Sequence, residues 1–194
     1  MRADERCIEQ YDYVPVEVRE HDPAAAAVAE RLAGLIAACR PGTAVEHVGS
    51  SAVPGMAGKG TIDLLVPAPE AEIPEIADAL VGIGFQRQTI REAFPPTRPM
   101  LQGVLRHGDK PYRVHVHVVP ASSPEVAAMR GFRDALRADP CLRLGYATLK
   151  RDIVTRGVTN SVAFSKAKHA YITAALERLG LLASPPDEGA CSPI

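Results

Sequence analysis

Apolar residues recur along the chain at two spacings, and the spacing changes from segment to segment. Val28, Leu32, Leu35, Ile36 and Cys39 fall at three- and four-residue intervals, the stripe of an amphipathic helix. Asp22-Pro23 ahead of them supplies a cap residue and a first-turn proline, and Pro41-Gly42 supplies a stop. Two short apolar runs follow, 44–48 and Thr61-Ile62-Asp63-Leu64-Leu65-Val66, the second ended by Pro67-Ala68-Pro69; both read as strands. Residues 52–60 between them carry Pro54, Gly55, Gly58 and Gly60 and read as a loop. Ile73, Ile76, Ala77 and Leu80 predict a helix near 72–82, closed by Gly82 and Gly84. Further strands are predicted at 85–90, 100–106 and 111–119, with a proline-bearing irregular loop at 91–99. The turn His107-Gly108-Asp109-Lys110 makes a hairpin of the last two, so the sheet is mixed.

The remainder reads as helix. Ser122 or Ser123 caps a helix with Pro124 at its start and Val126, Met129, Phe132 and Leu136 on its buried side. Asp139-Pro140 opens the next, carrying Leu142, Tyr146, Leu149 and Ile153, and a longer one runs from about 160 to 182. Residues 1–20 are charged, with an extended-looking Tyr13-Val14-Pro15-Val16, and read as an edge strand or arm. The tail 184–194 has three prolines and a glycine and is expected to be disordered. The expected architecture is therefore α/β, of the α+β kind: one domain over 1–183, a mixed sheet flanked by helices, and a helical C-terminal part over 122–183.

Composition narrows the class. Hydrophobic residues make up 46% and charged ones 23%, which fits a soluble globular protein with one core. A net charge of −1 argues against a chain whose main partner is the nucleic-acid backbone. No apolar run approaches a membrane span, and Met1-Arg2-Ala3-Asp4-Glu5-Arg6 has no signal-peptide core, so a cytoplasmic location is expected and no membrane partner. Cys7, Cys39, Cys141 and Cys191 are scattered without a Cys-x-x-Cys and read as inert. Nothing in the chain specifies an oligomeric state.

The chemistry concentrates in few places. Gly49-Ser50-Ser51 follows the first strand: glycine lets backbone approach a ligand, and the serines add donors to a turn suited to anions. Asp63 sits inside an otherwise apolar strand, where a carboxylate is rare unless paired or bound to a cation; the alternative is a structural acid that holds the 52–60 loop. Alternation puts Thr61, Asp63 and Leu65 on one face, and likewise puts His115 and His117 on one face of the strand 111–119. If that strand lies beside 61–66, both imidazoles face Asp63. Two histidines and a carboxylate suit manganese, iron or zinc better than magnesium; alternatively one histidine is a general base, or both are solvated. His47 beside the turn is either structural or functional, and Glu46 reads as a surface charge. Lys150, one turn after Tyr146, and Lys168, in the line Phe164–Lys168–Tyr171–Ala175, occupy apolar stripes. Such lysines snorkel to water or line a cleft and meet phosphates; these two are expected to line a cleft, with Lys59 of the loop beside them. Arg133 and Arg137 either join them or pair with Asp134 and Asp139.

An apolar residue, Gly and Ser, then an acid about a dozen residues on, resembles the pattern of polymerase-beta-type nucleotidyltransferases. His47-Val48-Gly49-Ser50-Ser51-Ala52-Val53-Pro54-Gly55-Met56-Ala57-Gly58-Lys59 with Ile62-Asp63 resembles more closely the GrpB family, a branch of that superfamily. The likeness resumes at His115-Val116-His117-Val118-Val119, Phe132 to Arg137, Tyr146 to Arg151 and Lys168 to Ile172, covering about residues 10–180. It implies a nucleotidyltransferase-like fold and metal-assisted transfer of a nucleoside monophosphate from a nucleoside triphosphate to a small-molecule acceptor. Asp63, His115 and His117 would carry the catalysis and hold a divalent cation (magnesium or manganese, with zinc as a further choice); Gly49, Ser50, Ser51, Lys59, Tyr146, Lys150 and Lys168 would meet the nucleotide. One departure stands out: the superfamily's second carboxylate is Leu65 here. That leaves a non-catalytic nucleotide- or phosphometabolite-binding module as an alternative. A second alternative comes from Arg113-Val114-His115-Val116-His117-Val118-Val119, which resembles the histidine-triad motif with His115 as nucleophile and Arg113 in place of the first histidine.

Overall fold

The computed structural model describes residues 7–89 and 93–182. Its elements run in the order α1 (Ala25–Cys39), β1 (Glu46–Val48), β2 (Ile62–Ala68), α2 (Ile73–Gly82), β3 (Gln86–Arg87), β4 (Met100–His107), β5 (Lys110–Pro120), α3 (Pro124–Ala138), α4 (Pro140–Thr155) and α5 (Ser161–Arg178), with single 3-10 turns at Ser50–Ala52 and Glu70–Glu72. The strands form one mixed sheet in the order β1-β2-β5-β4-β3. Only β2 and β5 are parallel; β1, β4 and β3 each join antiparallel.

Alternation decides what each face of this sheet does. Ile62, Leu64 and Val66 of β2, Val114, Val116 and Val118 of β5, and Leu101 and Leu105 of β4 point to one side. There they meet Val28, Leu32 and Ile36 of α1 and Ile73, Ile76, Ala77 and Leu80 of α2, all nearly or fully buried. Gly103 of β4 shares that side, and a Cβ on it would stand 2.3 Å from Ile8 Cγ2, so its missing side chain seats the N-terminal arm. The opposite face carries Asp63, His115 and His117. Its far end is sealed by Leu65, Val48 and Val119 against Val126 of α3. The C-terminal helices make their own core, with Leu136, Leu142, Tyr146 and Ala175 packed on Val53 and Met56 of the 52–60 loop. That loop is thus sandwiched between sheet and helices.

Two helix starts follow the sequence cues, Ser123 and Asp139 accepting backbone N–H bonds from the first turn, and Asn160 caps α5 in the same way. The first helix differs: it begins at Ala25, and Asp22 stands ahead of it, one carboxylate oxygen on the N–H of Ala24 and the other on Lys110 and the Tyr112 hydroxyl. The strand predicted at 85–90 shrinks to Gln86–Arg87, because Gln88 leaves the ladder and accepts the N–H of Phe94, while residue 90 lies outside the described residues. β2 runs on through Pro67, where β1 no longer flanks it and a missing N–H costs nothing. Residues 7–19 form an arm rather than a ladder strand, touching the rest through isolated bridges at Glu9–Val104 and Arg19–Gly58. The tail 184–194 lies outside the described residues. Among those described, no helix is long and apolar enough to cross a membrane.

Candidate functional site

β2 and β5 lie side by side with Asp63 in register with His115 and Leu65 with His117. Both imidazoles therefore rise on the same face as the acid. Nδ1 of His115 is 3.4 Å from Oδ1 of Asp63, and Nε2 of His117 is 3.8 Å from the same oxygen. Their rings are 6.4 Å apart and nearly perpendicular. The three side chains offer donor atoms within 4.8 Å of one another, and among the described residues no other cluster of three His, Cys, Asp or Glu side chains does so. The acid retains 27% of its side-chain exposure, the histidines 12% and 16%, so the group is enclosed but reachable.

The Gly49-Ser50-Ser51 turn wraps the acid. Gly49 has φ 70°, and a Cβ there would fall 2.5 Å from Oδ2 of Asp63. Its lack of a side chain serves the protein's own carboxylate, where the sequence suggested a ligand. Ser51 is also taken up internally: its hydroxyl bonds Nε2 of His47 at 2.9 Å and it is buried, which makes His47 and Ser51 supports of the turn. Burial drives the His47 ring down to about 4, so it is neutral, the pull of Asp63 notwithstanding. Ser50 is different. Its hydroxyl meets Nζ of Lys150 at 3.0 Å, and the same ammonium donates to the carbonyl of Ala57. One fully buried lysine thus ties the turn to the loop.

Helix α3 clamps the turn from the other side. Arg133 donates to the carbonyl of His47 (3.2 Å) and Arg137 to that of Ala52 (3.0 and 2.7 Å). Glu46, expected as a solvated surface charge, is instead gripped by Arg130 from the same helix (Nε to its carboxylate at 2.9 and 3.0 Å), with Arg133 beside it at 3.7 Å. These arginines hold backbone and acid and are not turned to the cleft. Tyr146 likewise lies beneath the site, its ring edge-on to Phe132 and stacked on Tyr171 at 5.6 Å, with Nζ of Lys150 over its face at 4.6 Å.

Two hollows meet at Asp63. The smaller, about 110 Å3, is walled by Ser50, Ser51 and Lys150 together with Lys110 and Arg19. The larger, about 320 Å3, is walled by His115, His117, Tyr11, Phe94 and Gln102. Lys59, Asp63 and Lys168 line both. Phe164 of α5 stands between the two shared lysines, Lys59 Nζ 5.9 Å and Lys168 Nζ 4.8 Å from its ring centre. Burial pushes Lys150 down to about 7, with Lys168 and Arg151 adding repulsion. It pushes Lys168 to about 8, with Lys59 adding repulsion, and lowers Lys59 as well. All three are held back only by the attraction of Asp63. Around the smaller hollow the basic side chains Arg19, Lys59, Lys110, Arg113, Lys150 and Lys168 stand against the acids Glu20, Asp22 and Asp63.

Sequence reasoning missed Tyr11, whose hydroxyl is 3.0 Å from Nε2 of His115. A tyrosine in a polar, aperiodic arm gives no signal that it crosses the sheet. Both nitrogens of His115 are thereby engaged, and Arg113, the counterpart of a first triad histidine, donates to the carbonyl of Asp12 on that arm.

Comparison with known proteins bears on the family and the fold. The GrpB protein family profile matches residues 15–178. The UPF0157 protein PA4798 of Pseudomonas aeruginosa is 34% identical over 173 residues, which are 84% of this chain and 67% of that protein. A crystal structure of the conserved protein GrpB from Enterococcus faecalis superposes with a TM-score of 0.67 at 25% identity, over 85% of this chain and 97% of the other. A chain of the GLD-2/RNP-8 complex superposes with a TM-score of 0.53 at 11% identity, over 86% and 62%, a likeness of fold alone. With a nucleotidyltransferase-like fold and a profile match over most of its length, the chain belongs to the GrpB family.

Proposed function

We propose that this chain transfers a nucleoside monophosphate from a nucleoside triphosphate to a small-molecule acceptor, using one divalent cation held by Asp63 and His115. The observation that carries the reading is the meeting of two unlike hollows at one acid. On one side lie Ser50 and a group of lysines, matched to phosphates; on the other lie aromatic rings, an amide and two imidazoles, matched to an organic molecule. The donor set fits a cation: the Asp63 carboxyl is held below its usual range, and burial keeps His115 towards its neutral form against the pull of Asp63. Such a cation would neutralise charge on the reacting phosphate.

The protein's own groups do the rest. The ammonium of Lys150 and the hydroxyl of Ser50 hold the terminal phosphates, and Lys59 and Lys168 flank the phosphate to be transferred. His117, farther from Asp63 than His115 and edge-on to Phe94 in the larger hollow, takes the proton of the acceptor. Attack in line then rests on positioning and charge neutralisation. Pyrophosphate release from each nucleoside triphosphate, with manganese or magnesium and a panel of hydroxyl- and amine-bearing acceptors, tests the reading. Nucleotide binding in calorimetry without release from any of them favours a binding module.

The module reading has one observation in its favour. Leu65, in the place of a second carboxylate, is fully buried among Val48, Val119 and Val126. That space is packing and not cleft. Leu65→Asp is therefore expected to leave an unpaired charge in an apolar seal and to cost about 3–5 kcal/mol, read by urea unfolding, without any gain in turnover.

The lysines predict a pH dependence. Lys150 and Lys168 lose their protons above about 7 and about 8, and a triphosphate favours their charged forms. Binding at pH 8 to 9 must then draw protons in, so affinity falls as pH rises, approaching tenfold per unit for each lysine involved. Calorimetry in buffers of different ionisation heat reads that uptake directly. An affinity that is flat from pH 7 to 10 would remove these lysines from the phosphate site.

A further inference from the structure

The N-terminal arm is pinned along the cleft at several points. Glu9 and Val104 exchange two backbone hydrogen bonds, the N–H of Tyr11 donates to Oε1 of Gln86 at 2.7 Å, and Val16 donates to the carbonyl of Thr159 at 2.7 Å. Arg19 and Gly58 exchange two more at the far end. Between these anchors Tyr11 meets the acid–imidazole group. Its hydroxyl is 3.0 Å from Nε2 of His115, the nitrogen turned away from Asp63, and its ring lies 5.5 Å from the imidazole and 5.2 Å from Tyr13.

We infer that Tyr11 is a positioning residue of the cation centre, holding Nε2 of His115 so that Nδ1 stays aimed at Oδ1 of Asp63. This rests on the cation reading above. A neutral imidazole has one N–H and one lone pair. For Nδ1 to offer its lone pair to a cation, the proton must sit on Nε2 and needs an acceptor there, which the phenol oxygen provides. Without a cation, Nδ1–H donates to Asp63 and the phenol donates to Nε2. A hydroxyl serves both states by turning its proton; a phenyl ring serves neither. An outer hydrogen bond of this kind fixes a ligand's tautomer and ring orientation. Tyr11 precedes residues 15–178, so the family match assigns it nothing.

The test titrates Mn2+ into the full chain without nucleotide, followed by electron paramagnetic resonance. Tyr11→Phe keeps the ring and is expected to raise the Mn2+ Kd roughly ten- to a hundredfold. In the metal-free protein, where Asp63 keeps the proton on Nδ1 in either case, it is also expected to move the 15N shift of His115 Nε2, which loses its phenol donor; a purely structural role of the arm would leave that shift in place. Tyr13→Phe removes a hydroxyl from the same arm, one that bonds Gln102 and not His115, and is expected to bind Mn2+ as the parent does. Unchanged Mn2+ affinity in Tyr11→Phe overturns the inference, and so does an equal loss in both variants, which would credit closure of the arm. Asp63→Asn separates the two levels. If it loses Mn2+ while Tyr11→Phe keeps it, only the role of Tyr11 falls; if Asp63→Asn keeps Mn2+, the centre and the inference fall together.

Discussion

Replacing Asp63 by Asn is expected to remove divalent-cation binding from the cleft while the fold stays in place. The substitution preserves shape and one acceptor oxygen, so β2 keeps its partners, but it deletes the charge on which the centre depends. A lost ligand should cost at least as much as a lost outer partner, on the order of 10²-fold in cation affinity or more. Stability should respond to acid in a matching way. Burial opposes ionisation of Asp63, but hydrogen bonds and charge from His115 and His117 outweigh it and hold the carboxyl well below its usual range. A group of that kind contributes stability above the unfolded carboxyl's value of about 4, and the contribution is lost as pH falls from there towards the folded value. The parent protein should therefore weaken more steeply than Asp63→Asn on acidification below about pH 4, read by chemical unfolding at several pH values. Parallel acid limbs would mean that the histidines do not stabilise the charged acid.

Gly49→Ala is expected to damage both fold and site. The residue sits at φ 70°, outside the range open to alanine without strain, which costs about 1–3 kcal/mol. The new methyl would also stand 2.5 Å from Oδ2, 3.0 Å from Cβ and 3.1 Å from Cγ of Asp63. Those atoms are not the free end of a long side chain, because the acid is fixed by its strand and its two imidazoles. Either the turn lifts away or the carboxylate swings from the histidines, and overpacking of that kind costs roughly 1–3 kcal/mol more. Gly55 provides the comparison: its φ is 74°, yet no atom lies within 4 Å of the Cβ position. Gly55→Ala should therefore show the strain alone and leave Mn2+ binding intact, whereas Gly49→Ala should lose more stability and Mn2+ affinity together. Equal losses of stability, with Mn2+ retained in both, would show that the contact with Asp63 carries no weight.

These two residues also show how far the sequence could be read. The acid and the imidazoles came from alternation within two strands and from one supposition about neighbours, that 111–119 lies beside 61–66. Apolar residues on the opposite face of both strands made that pairing natural, and β2 and β5 adopt it. Lys150 and Lys168 were visible as charges on apolar stripes; both line the smaller hollow, but Lys150 is fully buried and bonded to Ser50 and the Ala57 carbonyl, a contact its helical spacing does not specify. Gly49 was visible as a close approach, but its partner was not, since Asp63 closes on it only after the strands pair. Ser51 and His47 are four residues apart and bind each other, which a loop sequence does not specify. Other long-range contacts were out of reach. Tyr11 meets a histidine 104 positions away, and Glu46 meets an arginine 84 positions away, both from segments whose own periodicity says nothing of the partner. The overlong third strand has a related cause: apolar content marked Phe85 onward as a strand, but Phe85 is a core plug and the ladder to β4 holds two residues.

The central claim is that one cation sits between Asp63 and the histidine strand, at the junction of the two hollows. Crystals soaked in MnCl2 and measured at the manganese absorption edge test it most directly. The account predicts an anomalous peak within bonding distance of Oδ1 of Asp63 and Nδ1 of His115. A peak elsewhere, or none while the acid and imidazoles keep their direct contacts, would contradict it.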